Sequence, residues 1–398
     1  MFYIPGYDPF PPRRYRELYR TEAAAQAEIS GFDIALTPGP RGENFGWRIE
    51  ADIEGHRVET NIEVLLWSDL VQSSMSNSIP ATYAQLVRTA WTYISTGALW
   101  RLMRLRKGPV IAALYPIGML LVQLVLALAL GWAVGWLIGL VAKGQTLALV
   151  GALSWGAAAV VAFLVLRWFR ARDGKFFAYY LMHDYAHSAQ LRGRYPGDLQ
   201  QRIGKFKDRI SQALRGDVDE VLVVGHSSGA HLGVSVLADL IRSEQVPAKG
   251  PALGFLSLGQ VVPMLSFLPD AYDLRNDLQF LSTRDEIAWV DVTAPGDGCS
   301  FALCDPVAVS GVAPADKKWP LVFSAAFTQT LSPERWKELR WRFFRLHFQY
   351  LCAFDRPGDY DYFRVTAGPM TLGARFKGRS SSKSRIEAAV SSNRSVTP

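Results

Sequence analysis

The sequence predicts an α/β fold: a mostly parallel sheet with helices on its faces, interrupted by a pair of long apolar helices. Three observations carry this. Helix and strand patterns alternate over the first forty residues and again from Phe176 onward. Between these stretches lie two uncharged runs, Gly108 to Ala142 and residues 144–166, each long enough for a helix to cross a bilayer. The apolar run Val221-Leu222-Val223-Val224 leads directly into Gly225-His226-Ser227-Ser228-Gly229, where a helical pattern starts.

Residues 1–5 read as a short strand. A helix over 11–29 opens at Pro11 and Pro12 and closes at Gly31, because proline suits a first helical turn and glycine the residue just past the last. Phe32 to Leu36 is a second strand, ended by Pro38-Gly39-Pro40. Trp47 to Trp67 alternates around Gly55 and reads as a β-hairpin.

The first uncharged run has 35 residues and the second 23. Spans are expected at about 112–141 and 146–167, with Pro116 at a kink or at entry into the bilayer. The short joint Ala142-Lys143-Gly144-Gln145 makes the pair a helical hairpin. Arg101, Arg104, Arg106 and Lys107 precede it, and Arg167, Arg170, Arg172 and Lys175 follow it. Basic flanks accumulate on the cytoplasmic side, so both outer ends are expected there.

Helices are expected over 175–191 and 199–214, then a buried strand over Val218–Gly225 and a helix from Ser228 to Ser243. Leu253 to Leu258, Ile287 to Val292 and Leu321 to Ala325 are further strands, and 333–352 reads as helical. Beyond Arg375 the chain is Ser-rich and basic with few large apolar residues, which predicts disorder.

Composition narrows the function. The net charge is +7, but the segment from Arg375 has six Lys/Arg and one acid, leaving the body nearly neutral. No basic-aromatic interleaving marks a nucleic-acid surface. Three cysteines, Cys299, Cys304 and Cys352, make no disulfide framework and no metal signature, so a reducing compartment is expected. The N-terminal residues lack the basic start and apolar run of a secretory signal, so the chain is expected to begin in the cytoplasm.

The Gly225-x-Ser227-x-Gly229 turn between strand and helix would lift the Ser227 hydroxyl clear of the backbone, at the positive end of the helix that follows. Here the sequence resembles the α/β-hydrolase superfamily, over most of the chain outside the apolar hairpin and tail. The resemblance implies a serine nucleophile on an elbow after the fifth strand, followed in chain order by an acid and then a histidine. Of six histidines only His347 lies downstream with a chance to reach back. His226 and His231 sit at the elbow itself, poorly aimed at its hydroxyl, and His56, His183 and His187 precede it. For the acid, Asp297, in the turn past the strand ending at Val292, comes first, Asp291 within that strand second, and Asp305 third. The oxyanion hole would use the N–H of Ser228 and that of Tyr7, in Tyr3-Ile4-Pro5-Gly6-Tyr7. On that alignment the chain starts at the family's third strand, and the sheet lacks the first strands.

The expectation is then a membrane-anchored serine hydrolase acting on an ester or related acyl bond, needing no metal or organic cofactor. Residues 1–107 and 169–374 would form the hydrolase domain around a transmembrane hairpin at 108–168, with a tail from 375 to 398. It would sit in the inner membrane with both termini cytoplasmic. Its partners would be the lipid bilayer and an acyl-ester substrate, possible lipids included, with no nucleic acid; the oligomeric state stays open. The alternative is a catalytically silent, hydrolase-like tethered binding module. His183 and His187, at helical i,i+4 spacing, could hold zinc, but no third ligand accompanies them, and a plain helix over the membrane surface is preferred. Arginines and aromatics between Arg335 and Tyr350 fit either a membrane-surface helix or a packed one.

Overall fold

The computed structural model describes residues 1–39, 44–75, 78–141 and 146–398. They form two compact units: Met1–Gln72, Ile94–Pro109 and Leu191–Pro398 make the first, and Ser73–Tyr93 with Val110–Gln190 the second. The expected boundaries at 107 and 169 therefore move. Ile79 and Leu86 share one apolar cluster with Leu120, Ala178, Tyr179, Met182 and Ala186. Segments on both sides of the apolar hairpin thus bury apolar faces together with its first helix.

The first unit is built on one sheet of eight strands: β1 (Phe2–Ile4), β2 (Asp33–Pro38), β3 (Gly46–Ile53), β4 (His56–Val64), β5 (Glu220–His226), β6 (Ala252–Leu258), β7 (Ile287–Thr293) and β8 (Leu321–Ser324). Their order is β2-β3-β4-β1-β5-β6-β7-β8. From β4 through β1 to β8 neighbours are parallel, and β2, β3 and β4 pair antiparallel.

The expected loss of the first strands is corrected by this order, since three strands lie outside β1. Glu54 and Gly55 take left-handed φ of 57° and 77°, which folds β3 back onto β4. β4 then runs parallel to β1, with Phe2 opposite Glu63. The hairpin legible in the sequence thus extends the sheet.

β5 is buried from Val221 to His226, as a continuous apolar run in a two-sided parallel sheet requires. Each fully buried Val or Leu there contributes roughly 1.5–3 kcal/mol of transfer free energy. The helix Arg13–Ser30 buries Tyr15, Tyr19 and Ala23 against the sheet cluster and ends at left-handed Gly31, whose N–H donates to the Ala27 carbonyl.

Two further expectations change. Residues 333–352 are not one helix: they divide into Pro333–Leu339, Phe343–His347 and a 3-10 turn at Gln349–Leu351. The break falls at Arg342, whose φ of −100° and ψ of 67° lie outside the helical region. The tail, expected to be disordered, is laid along the first unit. The Ser382 N–H donates to the Val322 carbonyl, the Ile386 N–H to Leu303, and the Ser391 N–H to Val309. The guanidinium of buried Arg275 ties down the end, donating to the carbonyls of Ser266, Leu268, Pro269 and Ser395. Backbone pairing here does what apolar side chains do elsewhere.

Among the described residues two helices, Lys107–Val141 and Leu147–Ala171, are long and apolar enough to cross a membrane; the first starts earlier and the second ends later than expected. Their joint, residues 142–145, lies outside the described residues. Small residues let the pair approach: a Cβ on Gly131 would stand 2.4 Å from the Ala158 carbonyl oxygen, and one on Gly135 2.9 Å from that of Ser154.

Candidate active site

β5 ends at His226, and Ser227 follows with a left-handed φ of 57°, a conformation an L-residue holds only when its surroundings enforce it. They do so here. The Ser227 N–H donates to the Leu258 carbonyl at the end of β6 (2.9 Å), and the Ser227 carbonyl accepts from the Ala230 N–H (3.1 Å). The helix Gly229–Arg242 starts at once, with Ser228 as its cap residue. Both motif glycines are sterically required. A Cβ on Gly225 would meet the Gly229 carbonyl oxygen at 2.7 Å, and one on Gly229 would meet that of Ile4 at 2.1 Å.

His347 closes the short helix Phe343–His347, and Asp297 lies in the turn beyond β7. Their side chains meet: Nδ1–H of His347 donates to Oδ2 of Asp297 at 2.8 Å. Nε2 of His347 is buried and has no hydrogen-bond partner among the described residues. The ring lies 4.8 Å from that of His226, the residue before Ser227, between centroids, and a Cβ on Gly259, the residue after β6, would stand 3.0 Å from His347 Cε1. Burial by itself would raise the Asp297 carboxyl. The charge and hydrogen bond of His347 and the N–H of Cys299, which donates to Oδ1 at 2.9 Å, outweigh it and hold the group below the usual carboxylate range.

The segment Pro5-Gly6-Tyr7 faces Ser227. A Cβ on Gly6 would stand 3.0 Å from Ser227 Cβ and 3.5 Å from its Oγ. The indole N–H of Trp67 donates to the Pro5 carbonyl at 2.9 Å and fixes the loop that carries Tyr7. Tyr7 and Ser228 are therefore on the two backbone segments that flank the hydroxyl.

Two supporting residues escaped the sequence reading. The Tyr350 hydroxyl donates to Asp297 Oδ2 (3.0 Å) and accepts from the Ala294 N–H (2.9 Å). Nε2–H of His226 donates to the main-chain carbonyl of His347 (2.9 Å). Neither role has a spacing signature.

The other candidates lie elsewhere in their chemistry. Asp291 is in the interior of β7, accepts from Ser257 Oγ at 2.6 Å, and is pushed up to about 8 by burial. Asp305 caps the helix Pro306–Val309 and pairs with Lys317 at 2.7 Å. Nδ1 of His183 is hydrogen-bonded to Gln85 Oε1 at 2.8 Å. Ligand atoms of Asp297, Cys299 and His347 lie within 4.8 Å of one another and could hold a metal. Burial and the Asp297 charge push the Cys299 thiol up, away from the thiolate that metals take, and Nδ1 of His347 already serves Asp297.

Among protein-family models, curated proteins and solved structures, none matches this chain.

Proposed function

We propose that the chain is a membrane-anchored serine hydrolase of the α/β-hydrolase type, acting on an ester or related acyl bond. One observation carries the reading: an Asp297–His347 pair with an unengaged Nε2 packs against His226, the residue immediately before a serine on a strained strand-to-helix turn. The elbow following the fifth strand, with acid and histidine later in the chain, agrees with it.

In this reading Ser227 Oγ attacks the acyl carbonyl and its proton passes to His347 Nε2. Asp297 holds the tautomer with the proton on Nδ1 and stabilises the imidazolium that forms. The N–H groups of Ser228 and Tyr7 would hold the oxyanion. His347 then protonates the leaving group, and water repeats the sequence on the acyl-enzyme. The two apolar helices would cross the inner membrane with their basic flanks cytoplasmic, which favours an apolar acyl substrate near the bilayer.

No hydrogen bond joins Ser227 to His347 Nε2, and that observation favours a second reading, a silent hydrolase-like binding module. Catalytic hydrogen bonds are often long before substrate binds, so the first reading stands ahead. A fluorophosphonate probe applied to the full chain in detergent tests it. Labelling that disappears in Ser227→Ala while the fold persists is the expected result. Folded wild-type protein that takes no label favours the binding module.

A further inference from the structure

The break after Leu339 exposes a segment that the active-site reading does not use. Trp341 is 72% exposed, Phe343 48% and Phe344 39%. Three arginines are interleaved with them. The Arg340 guanidinium lies 5.7 Å from the Trp341 ring centroid, while Arg342 and Arg345 share the single carboxylate of Glu338. The segment therefore keeps net positive charge beside large apolar rings.

Its place in the fold names what it meets. A Cβ on Gly298 would stand 3.3 Å from Phe343 Cδ1, and one on Gly108 would stand 3.2 Å from the Gly298 carbonyl oxygen. Gly108 is the second residue of the apolar helix Lys107–Val141. Phe343 and the first turn of that helix thus flank one glycine. If the helix crosses a bilayer, its first turn lies at headgroup level, and Phe343 shares that level.

We infer that Arg340–Arg345 docks on the anionic headgroup surface of the bilayer that this chain's own apolar helices cross. Tryptophan and phenylalanine enter the interface, and the arginines pair with lipid phosphates. The inference rests on the membrane reading of the helices and is independent of hydrolysis.

Site-directed spin labelling of the full chain in lipid nanodiscs tests it. Labels replace Trp341, Val125 in the apolar helix and Arg57 on the β3–β4 hairpin, with the unsubstituted protein as background. Relative access to oxygen and to a water-soluble nickel complex is read for each. In discs of equal phosphatidylglycerol and phosphatidylcholine, positions 341 and 125 should favour oxygen and position 57 nickel. Replacing Arg340, Arg342 and Arg345 by Gln should weaken the immersion of position 341, by about fivefold in partition for each arginine. A label at 341 that resembles the one at 57, while 125 is in lipid, overturns the docking alone. A label at 125 that favours nickel overturns the membrane reading and the docking with it. Equal immersion of 341 in pure phosphatidylcholine overturns the anionic preference. Immobilisation of 341 that rises with protein concentration in detergent assigns the face to a second copy instead.

Discussion

The main-chain carbonyl of His347 accepts a hydrogen bond from His226, the residue immediately before Ser227, at 2.9 Å. The two rings lie 4.8 Å apart between centroids. The proposed base is thus fastened to the end of the strand that presents the proposed nucleophile. Two residues 121 apart in sequence are registered by one buried bond. Replacing His226 with Phe removes that donor and leaves a buried carbonyl without its partner. Stability should fall by about 1–3 kcal/mol. If His226 positions His347, fluorophosphonate labelling of the folded fraction should also slow by roughly tenfold. Unchanged labelling kinetics would assign His226 a packing role only.

Acid should destabilise the first unit partly through the same residue. Burial, and then the charge of His347, lower His226 from 6.5 to about 3. Below 6.5 the unfolded chain takes up a proton that the folded chain refuses. The contribution is therefore intact above about 6.5 and is lost as pH falls toward about 3. Thermal unfolding followed from pH 7 to pH 4 should show a shallower decline in His226→Phe than in the wild type, and parallel curves would assign the acid sensitivity elsewhere.

Asp291 should act in the opposite direction. Burial raises its carboxyl from 3.8 to about 8, so the folded chain holds a proton that the unfolded chain has released. Stability should decline as pH rises through that interval. Asp291→Asn is neutral throughout and should unfold at a higher temperature than the wild type at pH 8, with the advantage shrinking toward pH 4.

Asp297→Asn keeps the shape of the acid and removes its charge, so His347 loses the group that fixes its tautomer. Turnover of a soluble ester should drop by about 10⁴-fold. Tyr350→Phe, which removes one of the hydroxyls on the same carboxylate, should cost far less, about tenfold. An Asp297→Asn enzyme of ordinary activity would point to another acid.

Glycine substitutions should separate steric need from propensity. Gly229→Ala drives a Cβ to within 2.1 Å of the Ile4 carbonyl oxygen and should destabilise by roughly 3 kcal/mol or more. Gly204 lies inside the helix Gly197–Leu214 with nothing within 4 Å of a built Cβ. Gly204→Ala should stabilise by about 0.5–1 kcal/mol. Chemical denaturation of both variants checks the pair.

Local chemistry made much of the molecule legible. Val221 to Val224 followed by Gly225 and Gly229 can hardly do other than strand, tight turn and helix, since each step is set by neighbours in sequence. The uncharged runs announce long apolar helices by length alone. Asp297 and His347 emerged from chain order within a resemblance, and their 2.8 Å contact agrees with that pairing. What the sequence could not settle depends on partners far away along the chain. That β4 pairs with β1 and makes the sheet eight strands wide follows from long-range register. The order of the tail follows from backbone groups at Val322, Leu303 and Val309 that accept or donate only once the fold has brought them together. The roles of His226 and Tyr350 follow from hydrogen bonds across 121 and 53 residues, for which no local pattern exists. Sequence alone determined the periodicities, the turns and the reactive residue types. Tertiary structure decided which of those residues meet, because only burial of the whole sheet holds segments so distant at hydrogen-bonding range.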